Sequence, residues 1–376
     1  MTGLHITSID TTIVDVPTRR PHRFATHSIE HQTYLVVQVR TDSGRTGVGE
    51  GVSPGGPWWS GESVEGQQQI IEHHLAPALV GRDCLDLHGT IAAMDRTAYG
   101  NDFAKAALEM ALIDVIGQAR DVPAYVLLGG AAARDQIPVR WALPATGGAE
   151  VAQEATRRLA EGCSALKIKM GALPPDEDIR RLALLVDKIG ADVDYLADPN
   201  GVWDFRTATW AIKELEAIGI RTLEQPIDRA DLHGMAALGR RSTAIQLLAD
   251  EAVCRPGDAI TAVASRACDA VSIKPGKAGG LLRGATVASI VTAAGLACYG
   301  GSALETSIGT AAAAHLFAAL PALPLGCELI GPLLLTDDIT TTPVRYTDHC
   351  LHVPQGPGLG VEIDEDKIAR YARRGS

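Results

Sequence analysis

The sequence lacks the features that most quickly assign a chain to a class. No tract of lysine and arginine stands out, and the formal net charge is −11. A nucleic-acid partner is not expected, because phosphate binding needs clustered basic side chains. No apolar run approaches the ~18 residues needed to span a bilayer, so no membrane association is expected. The N-terminus, MTGLHITSIDTT, has no basic region followed by an apolar core, and so does not read as a secretion signal. Seven cysteines (Cys84, Cys163, Cys254, Cys268, Cys298, Cys327 and Cys350) form no CxxC pair, and their number is odd. Reduced, mostly buried thiols and a cytoplasmic location are expected. Among catalytic signatures, GxSxG, HExxH and the Walker A loop are absent.

What remains is ordinary globular material in a telling order. Of the 376 residues, 46% are hydrophobic and 21% charged, enough for a large core and two domains. Early on, Ile6–Val16 alternates as a strand. Thr33–Val39 and Arg45–Gly51 flank the turn Thr41-Asp42-Ser43-Gly44 and predict a hairpin. Helical patterns follow over Ser63–Leu79, Leu87–Arg96 and Asp102–Arg120, the last with a buried stripe at Ala104, Ala107, Leu108, Ala111, Leu112 and Val115. Strands followed by helices predict an α+β domain over residues 1–132.

From about Ile137 the rhythm changes. Short apolar runs at Val139–Leu143, Ala165–Met170, Asp194–Asp198, Thr222–Glu224, Gln246–Asp250, Ala270–Lys274, Ala297–Gly300 and Leu325–Leu329 alternate with helical segments such as Ala149–Glu161, Glu177–Ile189, Arg206–Ile218 and Gly280–Ala294. Eight β/α units predict an α/β fold of the TIM type, a closed (β/α) barrel over residues 133–332, capped by the N-terminal α+β domain. An open doubly wound sheet is the alternative, but no GxGxxG follows its first strand. The turn-rich remainder, 333–376, is expected to pack back on the cap and to end in a helix around Asp364–Arg373.

Catalytic groups of such barrels sit at the C-terminal ends of strands, so the last residue of each candidate strand is informative. Leu166-Lys167-Ile168-Lys169 puts two lysines on one face, since side chains two apart share a side. Burying lysine is costly, so packing does not explain the pair; solvated lysines on an exposed edge would. Their mutual repulsion predicts a neutral amine on one of them, suited to acid–base work. Asp198, Glu224 and Asp250 end the next three strands at intervals of 26 residues. Singly, each reads as a helix cap or loop acid. Together they predict convergence around a cation, and hard oxygen ligands favour Mg²⁺ or Mn²⁺ over Zn²⁺. Asn200 and Glu251 fit as supporting partners. Lys274 ends a strand four positions from that of Lys169, across the ring, with Lys277 just beyond it. Glu328 ends the last strand, where it reads as functional or as structural. Trp58 and Trp59, in a Gly- and Pro-rich loop, are read as part of a lid rather than as aromatic anchors of an exposed turn. His73 and His74 read as surface, and His315 as packing.

The order KxK, Asp, Glu, Asp, Lys resembles the muconate-lactonising subgroup of the enolase superfamily. Tyr299-Gly300-Gly301, Ser307-Ile308-Gly309-Thr310, Gly331-Pro332-Leu333-Leu334-Leu335 and Pro357-Gly358-Leu359-Gly360 look like the same subgroup. The resemblance implies that Asp198, Glu224 and Asp250 bind Mn²⁺ or Mg²⁺. It implies that Lys169, with Lys167 beside it, is the acid/base on one face, that Lys274 lies on the other, and that Glu328 contacts the substrate side. Arg23, Phe24 and the Val52–Trp59 loop would close over a small dicarboxylate substrate, and a homo-oligomer would be usual. Reversible lactonisation of cis,cis-muconate through an enolate is the implied reaction. Chloromuconate cycloisomerase, o-succinylbenzoate synthase and N-acylamino acid racemase share such a site, and a metal-binding barrel without turnover is the non-enzymatic alternative. Cys327-Glu328-Leu329 lacks the Asp-x-Asp of dipeptide epimerases, and no His ends the sixth or seventh strand as in sugar-acid dehydratases. Asp198-Pro199-Asn200 and Lys274-Pro275-Gly276-Lys277 depart from the subgroup's usual pattern.

Overall fold

A computed structural model describes residues 3–130, 134–146, 149–190, 192–242 and 244–373. The expected boundary at 132–133 lies outside the described residues. The chain opens with an antiparallel sheet of β1 (Ile6–Arg23), β2 (Ser28–Thr41) and β3 (Thr46–Val52), in that spatial order. β1 and β2 run longer than their alternation suggests, with a register irregularity between Pro17 and His22. Across β3 lies the helix Asp102–Arg120, buried almost throughout. It can approach because β3 presents Gly47 and Gly49. A Cβ on either would overlap the carbonyl oxygen of Ala111 or Ala107.

The second body is built from β5 (Trp141–Leu143), β6 (Ala165–Lys169), β7 (Asp194–Asp198), β8 (Thr222–Glu224), β9 (Gln246–Ala249), β10 (Ala270–Ile273) and β11 (Ala297–Gly300). All are parallel and paired in chain order. The sheet curls into the TIM-type barrel that the alternating pattern predicts. The eighth strand expected at Leu325–Leu329 is reduced to Cys327, which bridges both Gly300 and Val139 and closes the ring. Gly326, inside the expected run, adopts φ 65°, which breaks the extended conformation, so pairing there stays short. Closure still holds Glu328 in place, since its N–H donates to Gly300 O at 2.7 Å.

β4 (Gln136–Pro138) lies outside the barrel, in a small sheet with β12 (Tyr346–Thr347) and β13 (Cys350–His352). The tail then returns to β1. Leu335 bridges Thr18, Ala372 bridges Val14, and the Arg373 guanidinium clasps Asp15 at 2.7 Å. Among the described residues, no helix is long and apolar enough to cross a membrane.

Candidate active site

Strand ends deliver the ionisable residues. Lys167 and Lys169 alternate with Ile168 along β6, all three buried, which removes the exposed-edge reading. Asp198 ends β7 and Glu224 ends β8, while Asp250 and Lys274 directly follow β9 and β10. In the sheet order β6 and β10 stand four apart, so Lys169 and Lys274 enter from different sides of the ring.

The charges interlock. Lys167 Nζ donates to Glu328 Oε2 at 2.6 Å and lies 2.8 Å from Glu224 Oε2 and 3.1 Å from Asp198 Oδ2. Lys169 Nζ donates to Asp198 Oδ2 at 2.6 Å. Lys274 Nζ donates to Asp250 Oδ2 at 2.6 Å, and Lys277 Nζ to Asp250 Oδ1 at 2.7 Å and to its backbone carbonyl at 2.6 Å. The neutral amine expected from lysine–lysine repulsion does not arise on Lys167. Burial pushes that amine down, but Asp198, Glu224 and Glu328 together lift it well above the usual lysine range. Asp250 is held charged in the same way: burial opposes its ionisation, yet Lys274, Lys277 and Lys167 outweigh it.

Glu224 is the exception. Burial first, then Asp198, Asp250 and Glu328, push its carboxyl up to about 8 against the pull of Lys167. Lys167 stands at ion-pair distance but off the hydrogen-bond direction, so both Glu224 oxygens are buried without a hydrogen-bond partner. An orphaned carboxylate is costly in the interior, and a cation bound among oxygen ligands would relieve it. Among the described residues, no three His, Cys, Asp or Glu side chains stand in ready metal-ligand geometry. The lysine amines fill the space between the acids instead. The donor chemistry of Asp198, Glu224 and Asp250 nonetheless fits a hard divalent ion.

Three other groups tie this arc to its surroundings. Asn200, at φ 49°, donates through Nδ2 to Glu251 Oε1 at 3.1 Å, and its N–H donates to Asp198 Oδ1 at 2.9 Å. Glu251 Oε1 also accepts from Trp59 Nε1 at 2.9 Å, joining the cap loop to the barrel. The Trp59 ring stands 4.3 Å from Lys274 Nζ, a cation–π contact in a buried setting.

A small cavity lies between cap and barrel, lined by His22, Phe24, Pro54, Trp59, Lys169, Asn200, Lys274, Ser302, Leu304 and Glu328. A larger groove on the outer face, near Gln38, Arg40 and Glu362, carries no comparable convergence of buried charge. Of the residues expected to cover the substrate, Phe24 and Trp59 line the cavity but Arg23 and Trp58 do not. Arg23 is exposed. Trp58 stacks on His27 at 4.8 Å and leans on Phe24 at 5.6 Å, behind the wall. The physical reason is alternation. Neighbours on a strand face opposite ways, so Arg23 and Phe24 cannot both face inward, and His22 takes the inward place.

His22, Ser302 and Leu304 are the site residues that sequence reasoning missed. Strand parity points to His22. Arg20 Nη1 donates to its Nδ1 at 3.3 Å, and burial, with Arg20, Lys169 and Lys167 nearby, keeps the imidazole neutral. Ser302 and Leu304 lie in a loop after β11 whose geometry no local pattern announces. His315 packs, as expected, with Nε2 at 3.1 Å from Leu359 O, and His73 and His74 are exposed.

Comparison with known proteins agrees with this geometry. Residues 8–129 match the mandelate racemase / muconate lactonizing enzyme N-terminal domain, and residues 150–367 match the enolase C-terminal domain-like family. A chloromuconate cycloisomerase of Cupriavidus pinatubonensis is 42% identical over 97% of this chain and 98% of its own. Muconate cycloisomerase 1 of Rhodococcus opacus is 40% identical over 99% of this chain and 100% of its own. Among solved structures, 2-chloromuconate cycloisomerase from Rhodococcus opacus 1CP superposes with a TM-score of 0.96 at 40% identity, covering 98% of this chain and 100% of that one. Muconate lactonizing enzyme from Pseudomonas fluorescens complexed with muconolactone gives 0.97 at 36% identity, covering 99% and 100%. With both domains matched and the likeness running the length of the chain, the protein belongs to the mandelate racemase / muconate lactonizing enzyme family of the enolase superfamily, as an isomerase among its cycloisomerases.

Proposed function

We propose that the enzyme interconverts a cis,cis-muconate-type dicarboxylate and its lactone. The reading is carried by one observation: Lys169, Lys274 and Glu328 line a single buried cavity from three strand ends, beside a carboxylate with two orphaned oxygens. In ring closure, one substrate carboxylate adds an oxygen to the conjugated double bond. The displaced electron pair moves onto the other carboxylate as an enediolate, and Lys169 delivers a proton to the α-carbon. In ring opening Lys169 removes that proton, and the electron pair expels the ring oxygen. Lys274 faces Lys169 across the cavity and stabilises the developing negative charge there. Lys167, clasped by Glu328, keeps its proton and fixes the acids around it.

Enzymes of this family use a divalent metal ion. Here Asp198, Glu224 and Asp250 would hold Mn²⁺ or Mg²⁺, which when bound supplies positive charge against the enediolate. Phe24, Trp59 and Leu304 supply the apolar part of the lining, which limits water around the proton transfer.

Replacing Lys169 tests the assignment. Lys169→Ala is expected to lower turnover by about 10³-fold or more while metal affinity, measured by calorimetry, stays within about threefold of wild type, since Lys169 is not among the three ligands. An active Lys169→Ala enzyme would end the assignment. A panel of muconate, 2- and 3-chloromuconate and succinylbenzoate, assayed with Mn²⁺, tests the substrate class. Turnover is expected on muconates, and turnover on succinylbenzoate alone contradicts it.

A further inference from the structure

Leu304 stands out in the cavity wall because its backbone is left-handed, at φ 63°. A branched, bulky residue pays for that conformation, and strain of this kind persists only where surroundings over-determine it. The Leu304 carbonyl accepts from Tyr34 Oη at 2.7 Å, a fully buried bond from cap strand β2 into the barrel loop. The Leu304 N–H donates to Ser302 Oγ at 2.9 Å, and Ser302 Oγ donates to Glu305 Oε2 at 2.6 Å.

The same loop is pinned just beyond. Glu50, buried on β3, accepts from the Thr306 N–H at 3.1 Å and from the Thr306 hydroxyl. It thereby caps the helix Ser307–Ala319 from the cap domain. Asp338, from the returning tail, accepts from the Ser307 N–H at 3.1 Å and its hydroxyl at 2.8 Å. Three separate stretches of chain therefore converge on residues 302–307, and what they hold in place is the Leu304 side chain against the substrate space.

We propose that Tyr34, assisted by Glu50, is a positioning residue: its hydroxyl holds Leu304 in the left-handed conformation that builds the apolar wall of the cavity. The cap thus shapes the substrate site from behind, through the barrel's own loop, as well as by covering it with Trp59. The inference rests on the cycloisomerase reading only for its kinetic consequence.

Tyr34→Phe removes one hydroxyl and leaves the buried ring. It is expected to raise KM for the lactone about tenfold with kcat changed less than about twofold, the loss of one buried hydrogen bond expressed in substrate fit. Amide exchange in a peptide spanning 302–306 is expected to rise by a similar factor, with β6–β9 unaffected. A second background isolates the strain. Glycine adopts the left-handed region freely, so adding Tyr34→Phe to Leu304→Gly is expected to change that exchange by less than about twofold. Equal effects of Tyr34→Phe in both backgrounds, or wild-type KM in the single variant, would overturn the proposal. A wild-type enzyme inactive on muconolactone would instead sink the substrate reading and leave the exchange comparison standing.

Discussion

At the scale of single residues, the site is a lattice of buried charge in which each lysine has a designated acid. Lys277 shows how tightly it is drawn. It is buried, is not among the residues lining the cavity between cap and barrel, and donates to Asp250 Oδ1 and the Asp250 carbonyl. Lys277→Met leaves Asp250 with Lys274 as its one remaining strong partner, and truncating a buried pair costs about 3 kcal/mol or more. Urea unfolding of Lys277→Met should show that loss, together with metal affinity lowered about tenfold or more through misplacement of Asp250. A variant of unaltered stability and metal affinity would mean that Lys277 is incidental. Legibility in the sequence divides here along a physical line. Groups that end strands at a fixed interval could be read, because barrel periodicity places them: Lys167, Lys169, Asp198, Glu224, Asp250, Lys274 and Glu328. Their states could not. Lysine repulsion alone does not set the charge of Lys167, because Asp198, Glu224 and Glu328 all stand within 3.1 Å of its Nζ. Arg23 and Trp58 were misassigned to the cover because a pair of neighbours was read as one feature, when a strand or a turn sends neighbours in different directions.

At the scale of elements, period and punctuation carried the fold. β7, β8, β11 and the helix Asp102–Arg120 begin and end where the pattern puts them. The eighth strand stays short because Gly326 leaves the extended conformation at φ 65°, leaving Cys327 as a single bridging residue. Loop geometry was the illegible part. The left-handed Leu304 has no local signature, and one of the bonds at its backbone comes from Tyr34, 270 residues away in sequence. Tertiary contact can also be read backwards into sequence. Gly49 in β3 looks dispensable for a strand, but the backbone of Ala107 occupies the space of its missing side chain. Gly49→Ala is therefore expected to destabilise the cap by about 3 kcal/mol through overpacking, seen as a lower urea midpoint at unchanged slope. Wild-type stability would mean that the sheet and helix separate freely.

At the scale of the whole molecule, the cap is docked by buried carboxyls on helix ends. Glu50 caps the helix Ser307–Ala319, and Glu109 accepts from the Leu282 N–H at 2.8 Å, at the start of the helix Leu281–Ala293. Asp114 accepts from Val48 and from Leu359 in the returning tail. Burial is the largest influence on all three, raising Glu50 to about 8, Glu109 to about 7 and Asp114 to about 6. Each pKa is higher folded than unfolded, so each group's stabilisation is complete below its unfolded value. It is lost progressively as pH rises from the unfolded carboxylate range, about 4, through the folded values of about 6 to about 8. Thermal stability is expected to fall across that window, and Glu109→Gln, which cannot ionise, to flatten the fall by about 2–3 kcal/mol. Stability that rises from pH 6 to pH 8 in wild type would contradict this account of the cap.

The central claim is that this docked, water-poor cavity makes an enolate and that Lys169 moves the proton. The direct measurement is to incubate muconolactone with the enzyme and Mn²⁺ in D₂O and to follow the α-position by proton NMR. Deuterium should enter that position in wild type, accompanied by ring opening, and neither should occur with Lys169→Ala. Absence of both exchange and ring opening in the metal-loaded wild-type enzyme would contradict the account and leave a barrel that binds metal without turnover.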